Sequence, residues 1–242
     1  MTTHGPLGEL RDFLRAALVL PVPGQHAEPP AALRRRRVVS ALTLLAGAPL
    51  LAWALRIRPG DRLFYTATLS LAMLWCLGAL ASGPLHAGWG NTRAGERAAR
   101  PVVQSLALGT LLLGVFLAGA LLVGRVPPLR APVDVLLDHA RLGSTLTVLG
   151  LTVVNGVAEE LYFRGALFTA LPRYPVAITT ILYGLTTVGT GIPLLTLAAL
   201  SLGLVTALQR RVTGGILGPT ITHLVWSSGM LLLLPPVLDL TR

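Results

Sequence analysis

The sequence contains no lysine: all twenty of its basic residues are arginine. Acidic residues number only ten, and 12% of the 242 residues are charged, about half of the ~25% usual in a soluble domain. So little charge excludes an ordinary soluble fold. The formal net charge of +10 raises nucleic acid as a partner. The arginines exclude it, because they cluster beside apolar runs as charges that orient helices at a lipid surface do. The absence of lysine reads as a compositional bias of the source, without functional content. The single cysteine, Cys76, lies inside the apolar run LAMLWCLGAL, so an intrachain disulfide is excluded and the redox compartment is not encoded. Internal repeats and low-complexity segments are absent. The first 30 residues lack a basic start leading directly into an apolar core and a small-residue cleavage site, so no secretory signal is expected.

What is present is apolar. Hydrophobic residues make up 53% of the chain and the mean hydropathy is +0.70, the signature of a polytopic membrane protein. The expected fold is an all-α membrane helix bundle with about seven spans, in a range of six to eight. Apolar runs place them near 38–55, 63–82, 102–124, 144–171, 176–188, 193–208 and 215–234. The fifth is short for a bilayer of about 20 helical residues. Residues 1–33 form an N-terminal segment: Leu10, Phe13, Leu14, Ala17 and Leu18 recur at helical spacing, and a Pro-rich linker, PVPGQHAEPP, follows. Such a helix either lies in the membrane interface or packs on the bundle from outside. A basic block, Arg34 to Arg37, precedes the first long apolar run. The Pro-marked connection RVPPLRAPVDVLLDHARLG carries a further interfacial turn of helix. Residues 34–142 thus read as accessory helices and 143–242 as the core.

Orientation follows from arginine. With the N-terminus inside and seven alternating spans, the inside holds twelve (11, 15, 34–37, 93, 97, 100, 173, 210 and 211) and the outside seven (56, 58, 62, 125, 130, 141 and 242). The positive-inside rule favours a multi-pass protein of the cytoplasmic membrane with a cytoplasmic N-terminus.

Eight of the ten acidic residues fall in tails, linkers or span ends; only Glu159 and Glu160 lie deep in a span. A charge at mid-bilayer costs at least ~2.5 kcal/mol, so such residues face the bundle interior and are paired. Glu160 and Arg164 are i and i+4 and share a helical face. Glu159 is turned about 100° away and is left for another partner. His223, near the middle of the last span, is the only histidine within a span; His4, His26, His86 and His139 fall in tails or loops. A buried carboxylate opposite a buried imidazole either polarises a water for general-base hydrolysis or relays protons. Against this stand plain structural readings: Glu160–Arg164 as a staple between helices, and His223 as a core histidine bonded to a threonine or a carbonyl. Glu159, without a local counter-charge, fits those readings least. Asn155 and Gly156, just before it, allow close backbone approach.

EELYFRG, from Glu159 to Gly165, resembles the first motif, Glu-Glu-x-x-x-Arg, of the CAAX prenyl endopeptidase and bacteriocin-processing (Abi, CPBP) family. GLVTALQRRVTGGILGPTITHLVWS, Gly203 to Ser227, resembles its third-motif region, where a Gly-rich helix and a basic turn lead into His-x-x-x-Asn/Asp. The resemblance covers roughly residues 144–234. It implies a multi-helix membrane fold with a site in an internal cavity, and an intramembrane endopeptidase. Glu159 is then the general base, Glu160 and Arg164 shape the site, and His223 stabilises the oxyanion or holds the water. Two positions depart from the pattern. The second motif, Phe-x-x-x-His, aligns with YGLTT, which puts Thr187 at the histidine; in the third, Ser227 stands for Asn or Asp. A threonine hydroxyl is neither a useful base near neutral pH nor a strong metal ligand. Nothing resembles the paired histidines of a zinc-binding helix. No cofactor is required, and a divalent metal, if any, falls to Glu159 and His223.

Two functions follow. One is an intramembrane endopeptidase in which Glu159 activates water with His223. The other is a hydrolysis-deficient relative serving as membrane subunit, scaffold or chaperone, with Thr187 as its mark. A transporter or proton relay is a third. The partners are the lipid bilayer and a membrane protein or peptide, as substrate or as complex partner.

Overall fold

The computed structural model describes residues 5–22, 28–91 and 98–241. His4, His26, Arg93, Arg97 and Arg242 lie outside the described residues. The order is α1 (Pro6–Leu18), α2 (Pro30–Ala54), α3 (Arg62–Ser82), a two-residue antiparallel pairing of β1 (Gly90–Asn91) with β2 (Ala98–Ala99), α4 (Val102–Val123), α5 (Pro127–Arg141) and α6 (Thr145–Glu160). A π-helical turn (Leu161–Leu167) and α7 (Phe168–Ala170) continue α6 without a break; α8 (Pro175–Val188), α9 (Pro193–Thr213) and α10 (Leu217–Asp239) complete the fold.

Among the described residues six helices are long and apolar enough to cross a membrane: α2, α3, α4, the continuous Thr145–Ala170, α9 and α10. The fifth expected span is α8. Its 14 residues reach only about 21 Å at 1.5 Å per residue, short of a hydrocarbon core of about 30 Å. Pro175 starts it behind Tyr174, which is in the left-handed region at φ 52°. Gly189 and Gly191 end it, and α8 folds back on α9 as a helical hairpin.

Two boundaries differ from the sequence expectation. Helix α2 begins at Pro30, eight residues before the apolar run, so Arg34 to Arg37 lie inside it. Hydropathy ends where charge begins, but Arg36 is fully buried because Glu28, the Ser82 hydroxyl and the Pro84 carbonyl receive its guanidinium. In α5, the connection expected to hold one turn of helix forms 15 residues of it. Arg130 and Arg141 brace it through Asp134. His139, expected in a loop, is buried in α5, and its Nε2 lies 3.0 Å from the Ile57 carbonyl. Burial raises the Asp134 carboxyl, but hydrogen bonds from Arg130 and Arg141 hold it below its ordinary value. Of the two placements open to α1, the structure has it on the bundle. Ala17 is buried, the Val22 amide donates to the Val212 carbonyl at 2.8 Å, and Arg211 donates to the Leu18 carbonyl at 3.2 Å.

The core gathers around the α6 strut, which packs between α3 and α10. Trp75 of α3 stacks on Tyr162 of the π turn with centroids 4.5 Å apart, and Phe163 packs on both Trp75 and Tyr183. These rings fix the strut at the depth of its two carboxylates.

Candidate functional site

Helix α6 starts at Ser144, whose hydroxyl accepts from the Thr147 amide, and delivers Glu159 and Glu160 at its last turn. The chain then loosens into π geometry, with the Phe168 amide donating to the Phe163 carbonyl. Such turns are rare and favour functional sites, because one extra residue re-aims the side chains. An external clamp holds this one: the Arg210 Nε donates to the Arg164 carbonyl at 2.7 Å, and its Nη2 to the Thr169 hydroxyl at 3.3 Å.

The side chains divide into two layers. In the inner layer Glu160 and Arg164 are completely buried. Arg164 Nη1 lies 3.1 Å from Glu160 Oε1, the predicted i,i+4 pair, and Nη2 donates to the Gly203 carbonyl at 3.2 Å. His223 of α10 joins them, its Nδ1 2.8 Å from the same Glu160 oxygen. A carboxylate on Nδ1 assigns the proton of the neutral ring to that nitrogen and leaves Nε2 for other work. Gly156 makes the approach of α10 possible. A Cβ there would meet Leu224 Cδ2 at 3.0 Å and the His223 Nε2 at 3.7 Å.

The outer layer faces a cavity of about 630 Å³, whose wall includes Glu159, His223, Tyr183, Thr187, Ser227 and Asn155. Glu159 accepts a hydrogen bond from the Tyr183 hydroxyl through Oε2. The Tyr183 ring lies under the Arg164 guanidinium, 4.8 Å from carbon to centroid. Thr187 donates to the Gly184 carbonyl at 2.7 Å and sits 3.1 Å from the Thr196 hydroxyl. The buried Ser227 Oγ has no hydrogen-bond partner among the described residues. Asn155 turns its amide onto the Leu151 carbonyl of its own helix.

The geometry corrects one pairing expected from the sequence. His223 shares the cavity with Glu159 but bonds Glu160, and Glu159 is not unpartnered because Tyr183 reaches it. The depth of a residue along two helices equates Glu159 with His223; it does not tell which of two adjacent carboxylates the other helix packs on. Tyr183, Arg210 and Gly203 were missed. Only Tyr183 had a signal, a hydroxyl where the motif has phenylalanine.

Residues 141–229 match the family model described as Rce1-like, type II CAAX prenyl endopeptidase. Over those residues the chain is similar to that family. The match runs from the end of α5 to α10 and holds every residue of both layers. No curated protein and no solved structure matches the chain. The donors of the two layers do not suit a resident metal ion. Among the described residues no group of three His, Cys, Asp or Glu is placed to hold one, and Thr187 offers a hydroxyl already bonded within α8 and to α9.

Proposed function

We propose that the protein is an intramembrane endopeptidase of the cytoplasmic membrane, with its N-terminus cytoplasmic and its hydrolytic site in the core, residues 143–242. Residues 34–142 serve as accessory helices and 1–33 as the N-terminal segment. One observation carries this reading: Glu159 and His223 face one cavity while Glu160 and Arg164 brace them from behind.

The chemistry follows from the two layers. Tyr183 occupies Glu159 Oε2, and the second oxygen, Oε1, takes the proton of a water as that water attacks the peptide carbonyl carbon. His223, its Nδ1 turned to Glu160, holds that water from Nε2. The C–N bond then breaks and the proton held by Glu159 passes to the leaving amine. Glu160 and Arg164 act through His223 by orienting it, as a carboxylate behind an imidazole does. Ser227, one turn beyond His223, offers a short hydroxyl to the same wall. No step calls on a metal.

The test is Glu159→Gln in proteoliposomes carrying candidate membrane-peptide substrates. Loss of cleavage with the protein still folded supports the reading; unchanged cleavage in a folded protein ends it. Thr187→His should raise activity if the site lacks only that group.

A second reading, a hydrolysis-deficient subunit, scaffold or chaperone, is favoured by Thr187, whose hydroxyl is spent within the protein. It predicts a membrane protein that co-purifies in mild detergent. Consistent recovery as a lone monomer counts against it.

A further inference from the structure

We propose that Tyr183 is a positioning residue for Glu159, pinning one carboxylate oxygen so that the other alone is presented to the cavity. The inference rests on the reading of Glu159 as the working carboxylate. It concerns a residue that the first and third motifs do not contain and for which the second has phenylalanine.

Three observations place the hydroxyl. Tyr183 is 7% exposed and lies in the cavity wall, and its hydroxyl donates to Glu159 Oε2. Its ring has no freedom to swing away: Phe163 packs on one side at 4.7 Å between centroids and the Arg164 guanidinium covers it at 4.8 Å. On α9 only a glycine makes room, since a Cβ on Gly203 would stand 3.1 Å from Tyr183 Cδ1. Gly203 also accepts from Arg164 through its carbonyl, so one backbone position seats both the arginine and the tyrosine.

The consequence is a link between the layers. Arg164 touches Glu160 by charge and Tyr183 by its ring, and Tyr183 touches Glu159 by its hydroxyl. The orientation of the cavity-facing carboxylate is therefore set by the same guanidinium that neutralises the hidden one. Tyr183 also stands one turn before Thr187 on the cavity face of α8. The polar group that α8 offers to Glu159 is at 183, and the hydroxyl at 187 faces Gly184 and Thr196 instead. A buried carboxylate with one oxygen bonded keeps one rotamer and one reactive oxygen, the preorganisation general-base work requires.

The test uses the full-length protein in detergent, with dicyclohexylcarbodiimide as a membrane-permeant carboxyl reagent and mass spectrometry to follow modification of Glu159. Tyr183→Phe removes one oxygen and keeps the ring. Glu159 should then react about tenfold faster, the effect of losing one hydrogen bond to a charged group. Tyr162→Phe is the control, because Tyr162 also buries a hydroxyl, bonded to the Ser40 carbonyl at 2.6 Å; it should leave Glu159 labelling as in the parent. Equal labelling in Tyr183→Phe and the parent overturns the proposal, and so does the same acceleration in both variants. In cleavage assays Tyr183→Phe should lower kcat by about tenfold with KM little changed. If Glu159→Gln cleaves as well as the parent, the endopeptidase reading fails while the labelling result still decides the role of Tyr183. If Glu159→Gln is inactive and Tyr183→Phe labels and cleaves like the parent, only the role of Tyr183 fails.

Discussion

Two fully buried arginines, Arg36 in α2 and Arg164 in the π turn, meet carboxylates in different ways. Every guanidinium nitrogen of Arg36 has a hydrogen-bond partner: Nε and Nη2 reach Glu28, Nη1 the Ser82 hydroxyl, and Nη2 also the Pro84 carbonyl. No residue of that site lines the cavity. Among the described residues Arg164 makes one hydrogen bond, to Gly203, and faces Glu160 as an ion pair. Its Nε and the Glu160 Oε2 have no hydrogen-bond partner among the described residues. Saturated pairing at Arg36 ties the start of α2 to the end of α3. Incomplete pairing beside a cavity leaves a buried carboxylate that holds both an arginine and the cavity-lining His223 on one oxygen.

That contrast can be broken by mutation. Arg164→Ala should have the largest effect, since it leaves Glu160 buried without its cation. Losing one partner of a buried pair costs about 3–5 kcal/mol, so we expect little folded protein in the membrane, measured as monodisperse yield in detergent. Arg36→Ala should cost less, about 2 kcal/mol, because Glu28 retains 11% side-chain exposure and can turn to water. Its unfolding midpoint should fall while activity per folded molecule stays that of the parent. An equal loss of specific activity would merge the two sites. Gly156→Ala should cost about 1 kcal/mol, because the new Cβ meets Leu224 at 3.0 Å and pushes α10. Displacement of His223 should make the activity loss larger than the stability loss, seen by assaying both on one preparation.

The smallest effect lies outside the membrane, at Asp134. Its carboxyl is held below the ordinary value of 3.8 by Arg130 and Arg141, so its contribution is present above that value. The contribution is lost as pH falls below it, through the depressed value in the folded state. It is modest because the group is partly exposed. Asp134→Asn should remove this acid dependence of the unfolding midpoint, and an unchanged dependence would assign it elsewhere.

Much of the fold was legible because long apolar windows are nearly all a membrane helix needs. The six long helices follow them, and α8, the short one, was the span in question. What hydropathy misread were charges satisfied locally: Arg36 moved the start of α2, and the Asp134 ion pairs lengthened α5. In the site, Glu160–Arg164 was legible from i,i+4 spacing, which survives the π turn. The partner of His223 was not, since spacing along one helix is silent about the rotation of another. The π turn itself left no periodic trace, because its stabilising contact comes from Arg210, 46 residues away.

The central claim is that two adjacent carboxylates have opposite duties, Glu160 holding the structure and Glu159 doing the work in the cavity. The most direct measurement is thermal unfolding in detergent of Glu159→Gln beside Glu160→Gln. The account predicts that Glu160→Gln lowers the midpoint by several degrees, because Arg164 and His223 lose their shared anion, and that Glu159→Gln leaves it unchanged or raises it. Equal destabilisation by the two, or the reverse order, would contradict it.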